Sequence, residues 1–301
     1  MEVAGCARRL ISTPPANNLA VIIKPTIRLT GIDTMRQKGC WPNFKTTLSE
    51  QFQLENIRLG HYPVEDFYKS QWQSADRSFW FLLYRWCVAG FYIAAGIACA
   101  IALFDNARFF IYLTDWGFIL CMIATTYGAV LTTLWHFDRV DGVEQGWSIK
   151  IFWIIHWSAL VLSCVITLMF WTLLLPLEPS LGGDPYNILQ HAANSIVMIM
   201  DHFVVAFPSR ILHFIYPLAI GMVYLLFSLI YYFAGGTGPG GVSFIYPILD
   251  WGESPLMACL SVIVAVICSF IFAFILFWLY KLRVYLYKTF ANAQKPHTIH
   301  Y

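Results

Sequence analysis

The sequence predicts an all-α fold, a polytopic membrane bundle of six transmembrane helices with both termini in the cytoplasm. Composition is the first reason: 12% of the 301 residues are charged and 58% are hydrophobic, whereas a soluble domain carries about 25% charged residues. The second reason is a series of apolar segments long enough to cross about 30 Å of hydrocarbon. The third is an uneven distribution of lysine and arginine among the connecting segments.

Six segments have the length of about 20 predominantly apolar residues that a membrane-crossing helix needs. Their connections are too short to be separate domains, and they contain turn sequences such as Asp-Gly, Phe-Pro-Ser and Gly-Gly-Asp-Pro. Tryptophan and tyrosine recur near the segment ends, as in the aromatic belts of membrane proteins. In chain order the predicted spans are Phe79–Phe104, Phe109–Phe137, Trp147–Leu175, Tyr186–Phe207, Ile211–Ala234 and Leu256–Tyr280.

Basic residues predict the orientation of these spans. Seventeen of the 19 Lys and Arg residues lie before the first span, in the segments 138–150 and 208–210, or after the last span. The loops of the opposite side hold Arg108, and Arg85 lies within the first span. The positive-inside rule therefore places residues 1–78 and 281–301 in the cytoplasm, flanking a transmembrane domain of residues 79–280. Residues 1–78 are mixed, polar and proline-containing, so we expect them to be poorly ordered.

Charge and motif content exclude several classes of function. The net charge is +2 and the basic residues do not cluster, so no nucleic-acid partner is expected. The sequence has no Cys-x-x-Cys and no His-x-x-x-His spacing, and we expect neither a metal site nor a cofactor. Membrane lipids are the expected partners, together with other membrane or cell-surface proteins. The expected location is the plasma membrane, with the endoplasmic reticulum as the alternative.

Polar side chains occur at one depth in two of the predicted spans. Thr114 lies about 8–9 Å from the outer end of the second span, and His191 about 8–12 Å from the outer end of the fourth, at 1.5 Å per residue. Polar groups avoid lipid, so we expect this layer to line one cavity between the second and fourth helices. Its members are Thr114, Asp115, His191, Asn194 and Ser195, with Asp250 in the loop just above.

A second polar cluster is expected nearer the cytoplasm, where His156 of the third span meets Asp201 and His202 of the fourth. For the outer layer the sequence leaves three interpretations open. It is a buried network that fixes helix packing, a functional site, or a place where Asp115 simply reaches water at the interface.

Seven stretches between residue 69 and the last span carry a family resemblance: KSQWQ (69–73), LLYRWCVAGFY (82–92), FIYLTDWGFILC (110–121), QHAANSIVMIMD (190–201), LHFIYPL (212–218), YLLFSLIYYFAGGT (224–237) and FIYPILDWGESP (244–255). Together they resemble the rolling stone family of animal multi-pass membrane proteins. The founding member is associated with myoblast fusion. The resemblance therefore implies a role at the cell surface in cell–cell contact or fusion, and no particular chemistry.

A more distant resemblance is to the androgen-induced gene family of intramembrane lipid hydrolases, which use a threonine nucleophile and a histidine. It puts Thr114 at the nucleophile position, His191 at the position of the family's first histidine, and Asn194 at that of its catalytic histidine. Tyr246-Pro247 matches a late motif of that family. Because asparagine cannot accept a proton from the threonine hydroxyl, we expect a lipid pocket with little or no turnover.

Three functions are therefore compared. The leading one is a surface protein of the rolling stone type with a lipid-accessible polar cavity. The second is a threonine hydrolase of fatty-acid esters, with Thr114 and His191 as its catalytic residues. The third is a small-molecule or ion transporter that uses the two polar clusters as a relay.

Overall fold

The computed structural model describes residues 44–104, 108–140 and 146–293, and these ranges are mainly helical. They contain no β-strand, and one isolated bridge joins Ser70 to Val205. The α-helices are α1 Phe44–Gln51, α2 Phe79–Leu103, α3 Leu113–His136, α4 Trp147–Met169, α5 Pro185–Ile188, α6 Asn194–Val204, α7 Ile215–Phe233 and α8 Pro255–Ala293. Two π-helical segments, Phe170–Leu174 and Leu189–Ala193, follow α4 and α5 directly.

Five helical stretches are long and apolar enough to cross a membrane, which confirms a multi-pass, all-α membrane bundle. They are Phe79–Leu103, Leu113–His136, Trp147–Leu174, Ile211–Phe233 and Pro255–Ala291. The fourth predicted span is not among them, because residues 185–204 are divided into α5, a π-helical segment and α6.

Helix starts follow local capping chemistry. Ser78 precedes α2, and its hydroxyl accepts a hydrogen bond from the backbone N–H of Phe81, which satisfies one of the unpaired N–H groups of the first turn. Asp184 caps α5 in the same way through the N–H of Tyr186. Pro185 and Pro255 occupy the first helical positions of α5 and α8, where a missing N–H costs nothing.

Helix α4 lies at the centre of the bundle. Of its most apolar stretch 72% is buried, compared with 28% for α2 and 17% for the stretch that contains α7. The other helices cover most of the apolar side chains of α4. The outer faces of α2 and α7 have no such cover from the protein, and lipid can cover them instead. The core around α4 includes Tyr92, Phe118, Trp157, Leu160 and Met198.

We call the end of the bundle where α2 begins the proximal end, and the end where α2 finishes the distal end. At the proximal end residues 44–78 pack on the helices. Phe67 is buried and its ring stacks on that of Phe207 at 5.3 Å, and Arg210 donates to the carbonyls of Arg58 and Gly60. This differs from the poor order expected of residues 1–78, because aromatic side chains in this stretch find partners on the bundle. Residues 1–43 lie outside the described residues.

At the proximal end, the backbone carbonyls at and after the end of α6 accept hydrogen bonds from the KSQWQ stretch and from α8. The last carbonyls of a helix have no partner within it. Ser70 and Trp72 of the KSQWQ stretch donate to Val204 and Phe203, and the Arg283 guanidinium donates to the carbonyl oxygens of His202, Ala206 and Phe207. Helix α8 continues beyond Tyr280 and ends at Ala293, so the first part of the segment expected to form the tail, residues 281–293, is helical. Residues 294–301 lie outside the described ranges.

Candidate functional site

The two π-helical segments face each other at the distal end. The Phe170 ring stacks on the His191 ring with a centroid distance of 3.7 Å and an interplanar angle of 4°. The Trp171 indole donates to the His191 carbonyl at 3.0 Å. A π-helical turn is wider than an α-turn and leaves backbone groups less regularly paired, and such turns occur frequently at functional sites. His191 is 5% exposed, and its Nδ1 has no hydrogen-bond partner among the described residues.

Thr114 lies in the first turn of α3, beside a tyrosine from the loop before α8. The Tyr246 hydroxyl is 3.4 Å from both the Thr114 hydroxyl and the Thr114 backbone nitrogen. Burial raises the pKa of the Tyr246 phenol, so this hydroxyl is protonated at neutral pH. Since a neutral phenol is a poor base, this contact alone does not activate the threonine hydroxyl as a nucleophile.

Asp115 is buried next to Thr114, with an exposed fraction of 4%. The Gln190 amide donates to one of its carboxylate oxygens at 2.7 Å. Among the described residues no lysine or arginine forms an ion pair with it. Asp115 is thus a buried carboxylate that one amide and the start of α3 stabilise, without a counterion of its own.

An apolar chamber of about 140 Å³ lies between α3, α4, α7 and α8. Its wall reaches the outer face of the bundle at Met222, which lines the chamber and is 45% exposed. A Cβ atom added at Gly221 would meet nothing within 4 Å, so the glycine borders open space. Other residues that define the chamber are Leu162, Val165, Leu218, Val262 and Val266.

A larger and more polar vestibule of about 520 Å³ adjoins the chamber at the distal end. Five residues contribute to the walls of both cavities: Thr114, Phe170, Leu174, His191 and Tyr246. The vestibule adds charged and aromatic side chains, which are Arg108, Phe109, Tyr112, Asp115, Glu178, Asp184 and Phe244. Thr114 and His191 therefore lie at the junction between an apolar and a polar space.

Three residues predicted for this cavity lie elsewhere. Asn194 is buried and its side chain faces α2, where Tyr92 donates to its Oδ1 at 3.1 Å and to its carbonyl at 2.8 Å. Ser195 donates to the carbonyl of Ala192. Asp250 accepts from the N–H groups of Gly252 and Glu253 and so closes its own turn. None of the three lines the chamber or the vestibule.

The second predicted cluster forms towards the proximal end, and Arg85 joins it. The Asp201 carboxylate lies 2.9 Å from both the Arg85 guanidinium and the His156 Nε2, and the Tyr84 hydroxyl donates to it at 3.1 Å. A Cβ atom at position 128 would lie 1.5 Å from Arg85 Nη2. Gly128 of α3 therefore makes room for the guanidinium group.

His202 does not join this ion pair. Its Nε2 lies 3.0 Å from the carbonyl oxygen of Leu276 in α8. None of Arg85, His156, Asp201 and His202 lines the two distal cavities, and their hydrogen bonds join α2, α4, α6 and α8. Sequence reasoning placed Arg85 within the first span without giving it a partner, although an arginine in a membrane span generally pairs with an acidic residue.

The sequence analysis also passed over Gln190 and Phe170. Gln190 was visible as the polar neighbour of His191, whereas Phe170 carries no signal that distinguishes it from other apolar residues. Among the described residues no group of histidine, cysteine, aspartate and glutamate has the arrangement of a metal site.

Comparisons with known proteins agree with the resemblance seen in the sequence. A family model described as protein rolling stone matches residues 40–301. Protein rolling stone of Drosophila melanogaster is 33% identical over 270 residues, which cover 85% of this chain and 97% of that protein. No solved structure matches significantly.

Proposed function

This chain belongs to the rolling stone family, and from that premise we propose that it holds a single-chain amphiphilic lipid and acts at the cell surface in cell–cell contact or fusion. The observation that carries the proposal is the junction of two unlike spaces at Thr114, His191 and Tyr246. An amphiphile needs an apolar space for its chain and a polar space for its head group.

The size of the chamber limits how the chain is held. A dry cavity of about 150 Å³ takes up one benzene molecule, so a chamber of about 140 Å³ accommodates a short length of acyl chain. The remainder must leave the protein. The exposed position of Met222 in the chamber wall supports a lateral opening on the lipid-facing side of α7. A lipid would then occupy the site while part of its chain stays in the bilayer.

A cavity-filling variant tests the binding proposal. Gly221 lines the chamber and an added Cβ there meets no atom within 4 Å, so Gly221→Phe is designed to fill the chamber with a ring about as large as benzene. Gly90→Phe is the matched control, because Gly90 lies exposed on α2 and its added Cβ also meets nothing. We expect native mass spectrometry to find a copurifying lipid in wild type and Gly90→Phe, and at least about ten-fold less in Gly221→Phe. Equal lipid in all three proteins would refute the proposal.

The same variants test the role at the cell surface. In mixed cultures that report content mixing between cells, the wild type and Gly90→Phe are expected to promote contact or fusion and Gly221→Phe to lose this effect. Surface labelling of the expressed proteins checks delivery to the plasma membrane. Residence of folded wild-type protein in the endoplasmic reticulum alone would contradict the cell-surface part of the proposal and leave lipid binding standing.

We further propose six membrane crossings with both termini in the cytoplasm. Residues 185–204 would complete the count, since 20 helical residues extend over about 30 Å. Contacts at both of its ends support this: Gln190 meets Asp115 at the distal end, and Val204 meets Ser70 at the proximal end. Cysteine tags at either terminus are expected to resist an impermeant thiol reagent in intact cells, and their labelling would overturn the orientation.

Hydrolysis of a fatty-acid ester is the second candidate, favoured by the position of Thr114 and His191 at the junction of the two cavities. The contact of Thr114 with a protonated phenol supports binding without turnover. A serine-hydrolase activity probe is therefore expected to leave the wild type unlabelled. Ester cleavage by the wild type that is lost in both Thr114→Ala and His191→Ala would establish the enzyme instead.

A further inference from the structure

We infer that the lipid held in this site carries an ammonium head group, and that the Asp115 carboxylate is its counterion. The inference rests on the proposed lipid site and names its ligand class. The chemistry belongs to long-chain amines such as sphingoid bases, with one chain for the chamber and a cation for the vestibule.

The first argument is the unbalanced charge of Asp115. Its carboxylate is 4% exposed and, among the described residues, accepts one hydrogen bond, from Gln190. The start of α3 supplies about half an elementary charge, which leaves a carboxylate in a membrane span short of a full counterion. Asp201 of the same chain is also buried, but it has a protein counterion, because the Arg85 guanidinium lies 2.9 Å from its carboxylate. A ligand cation in the vestibule would do for Asp115 what Arg85 does for Asp201.

The second argument is the character of the vestibule wall. Among the described residues of the wall, three are carboxylates, Asp115, Glu178 and Asp184, and one is a guanidinium, Arg108. This formal excess of negative charge attracts a cationic head group and disfavours a carboxylate or phosphate head group. Aromatic rings form much of the remaining wall, including those of Tyr112 and Tyr246, and their faces attract ammonium ions as well.

The third argument is a buried histidine nitrogen at the junction that has no hydrogen-bond partner among the described residues. His191 is 5% exposed, lines both cavities, and its Nδ1 has no partner among the described residues. A buried nitrogen without a hydrogen bond is costly, and an amine or hydroxyl of the ligand at this level would supply the missing partner. Asp115, which lacks a cation partner, and His191, whose Nδ1 lacks a hydrogen bond among the described residues, thus line one volume, as expected for a site that holds a polar head group.

The test compares head groups on equal chains. Purified protein in phosphatidylcholine nanodiscs is offered photoactivatable, clickable analogues of sphingosine, palmitic acid and monopalmitoylglycerol, with unlabelled competitors. We expect the wild type to crosslink the sphingosine probe at least about ten-fold more strongly than the fatty acid. Asp115→Asn keeps the size of the side chain and an oxygen for the Gln190 amide, and it should lower sphingosine labelling by about ten-fold while monoacylglycerol labelling stays unchanged.

Failure of this inference is distinguishable from failure of the proposed site. Equal labelling by the three probes, or sphingosine labelling that Asp115→Asn leaves intact, would overturn the ammonium head group. If those probes still lose labelling in Gly221→Phe, the lipid site itself stands. If no probe responds to Gly221→Phe, the site is refuted and the inference with it. Thermal unfolding of Asp115→Asn confirms that the variant is folded, and Asp115→Glu, which retains the charge, should recover part of the sphingosine labelling.

Discussion

Two buried carboxylates in this bundle, those of Asp201 and Asp115, have opposite surroundings. Asp201 is 0% exposed, and a guanidinium, an imidazole and a phenol converge on it. Asp115 is 4% exposed, receives one amide and borders a vestibule of about 520 Å³. Burial alone therefore does not distinguish the two carboxylates. They differ in the number of their protein partners and in the space beside them.

The difference has a physical basis in the cost of an uncompensated charge. A buried ion pair with good geometry holds its elements in one arrangement, and loss of one partner leaves the other charge buried without compensation. A carboxylate beside a cavity keeps the option of a solvent or ligand partner, so the protein tolerates it without an internal cation. The proximal cluster should hence govern stability, and the distal site should govern binding.

The largest expected effect tests this contrast directly. Asp201→Asn removes the counterion of buried Arg85 and should lower the free energy of unfolding by about 3–5 kcal/mol. Asp115→Asn leaves no cation unpaired and retains an acceptor for Gln190, so its cost should stay below about 1 kcal/mol. Titration of the purified proteins with a denaturing detergent measures both. Equal losses for the two variants would remove the distinction between the clusters.

A smaller effect is expected at Gly128, which tests whether the position of Arg85 is fixed. In Gly128→Ala the new Cβ would lie 1.5 Å from Nη2 and 2.7 Å from Cζ of Arg85. The guanidinium is held at 2.9 Å by Asp201, so it cannot withdraw freely, and we expect a loss of about 1–3 kcal/mol.

Gly90→Ala is the control for Gly128→Ala. Gly90 is also a helical glycine, but an added Cβ there meets nothing, and alanine stabilises a helix by up to about 1 kcal/mol relative to glycine. Opposite signs of the two changes in the same unfolding assay are the expected result. A neutral Gly128→Ala would show that Arg85 has room to move.

Much of the fold was predictable because membrane helices are specified by local composition. The predicted spans beginning at Phe79, Trp147 and Ile211 start at the first residues of the corresponding helical stretches. The site was less predictable, since its contacts join distant parts of the chain. The Thr114–Tyr246 pair is 132 residues apart and the Asp115–Gln190 pair is 75 apart.

The π-helical segment also accounts for the changed position of Asn194. With α-helical spacing, His191 and Asn194 would lie on one face of the helix, as the expected shared cavity requires. The wider turn of Leu189–Ala193 changes the angle between successive side chains. His191 then lines the junction while Asn194 faces Tyr92. Hydropathy carries no signal for such a turn.

The smallest expected effect compares one substitution at two places. Tyr92→Phe removes a hydroxyl that donates at 2.8 Å to a buried carbonyl, and should lower the free energy of unfolding by about 1–2 kcal/mol. Tyr246→Phe removes a hydroxyl whose two contacts with Thr114 are 3.4 Å long, and solvent in the adjoining vestibule can replace it. Its cost should therefore stay below about 0.5 kcal/mol. If Tyr246→Phe proves as destabilising as Tyr92→Phe, the Thr114–Tyr246 contact is part of the structural framework of the bundle. The junction of the two cavities would then no longer support ligand binding.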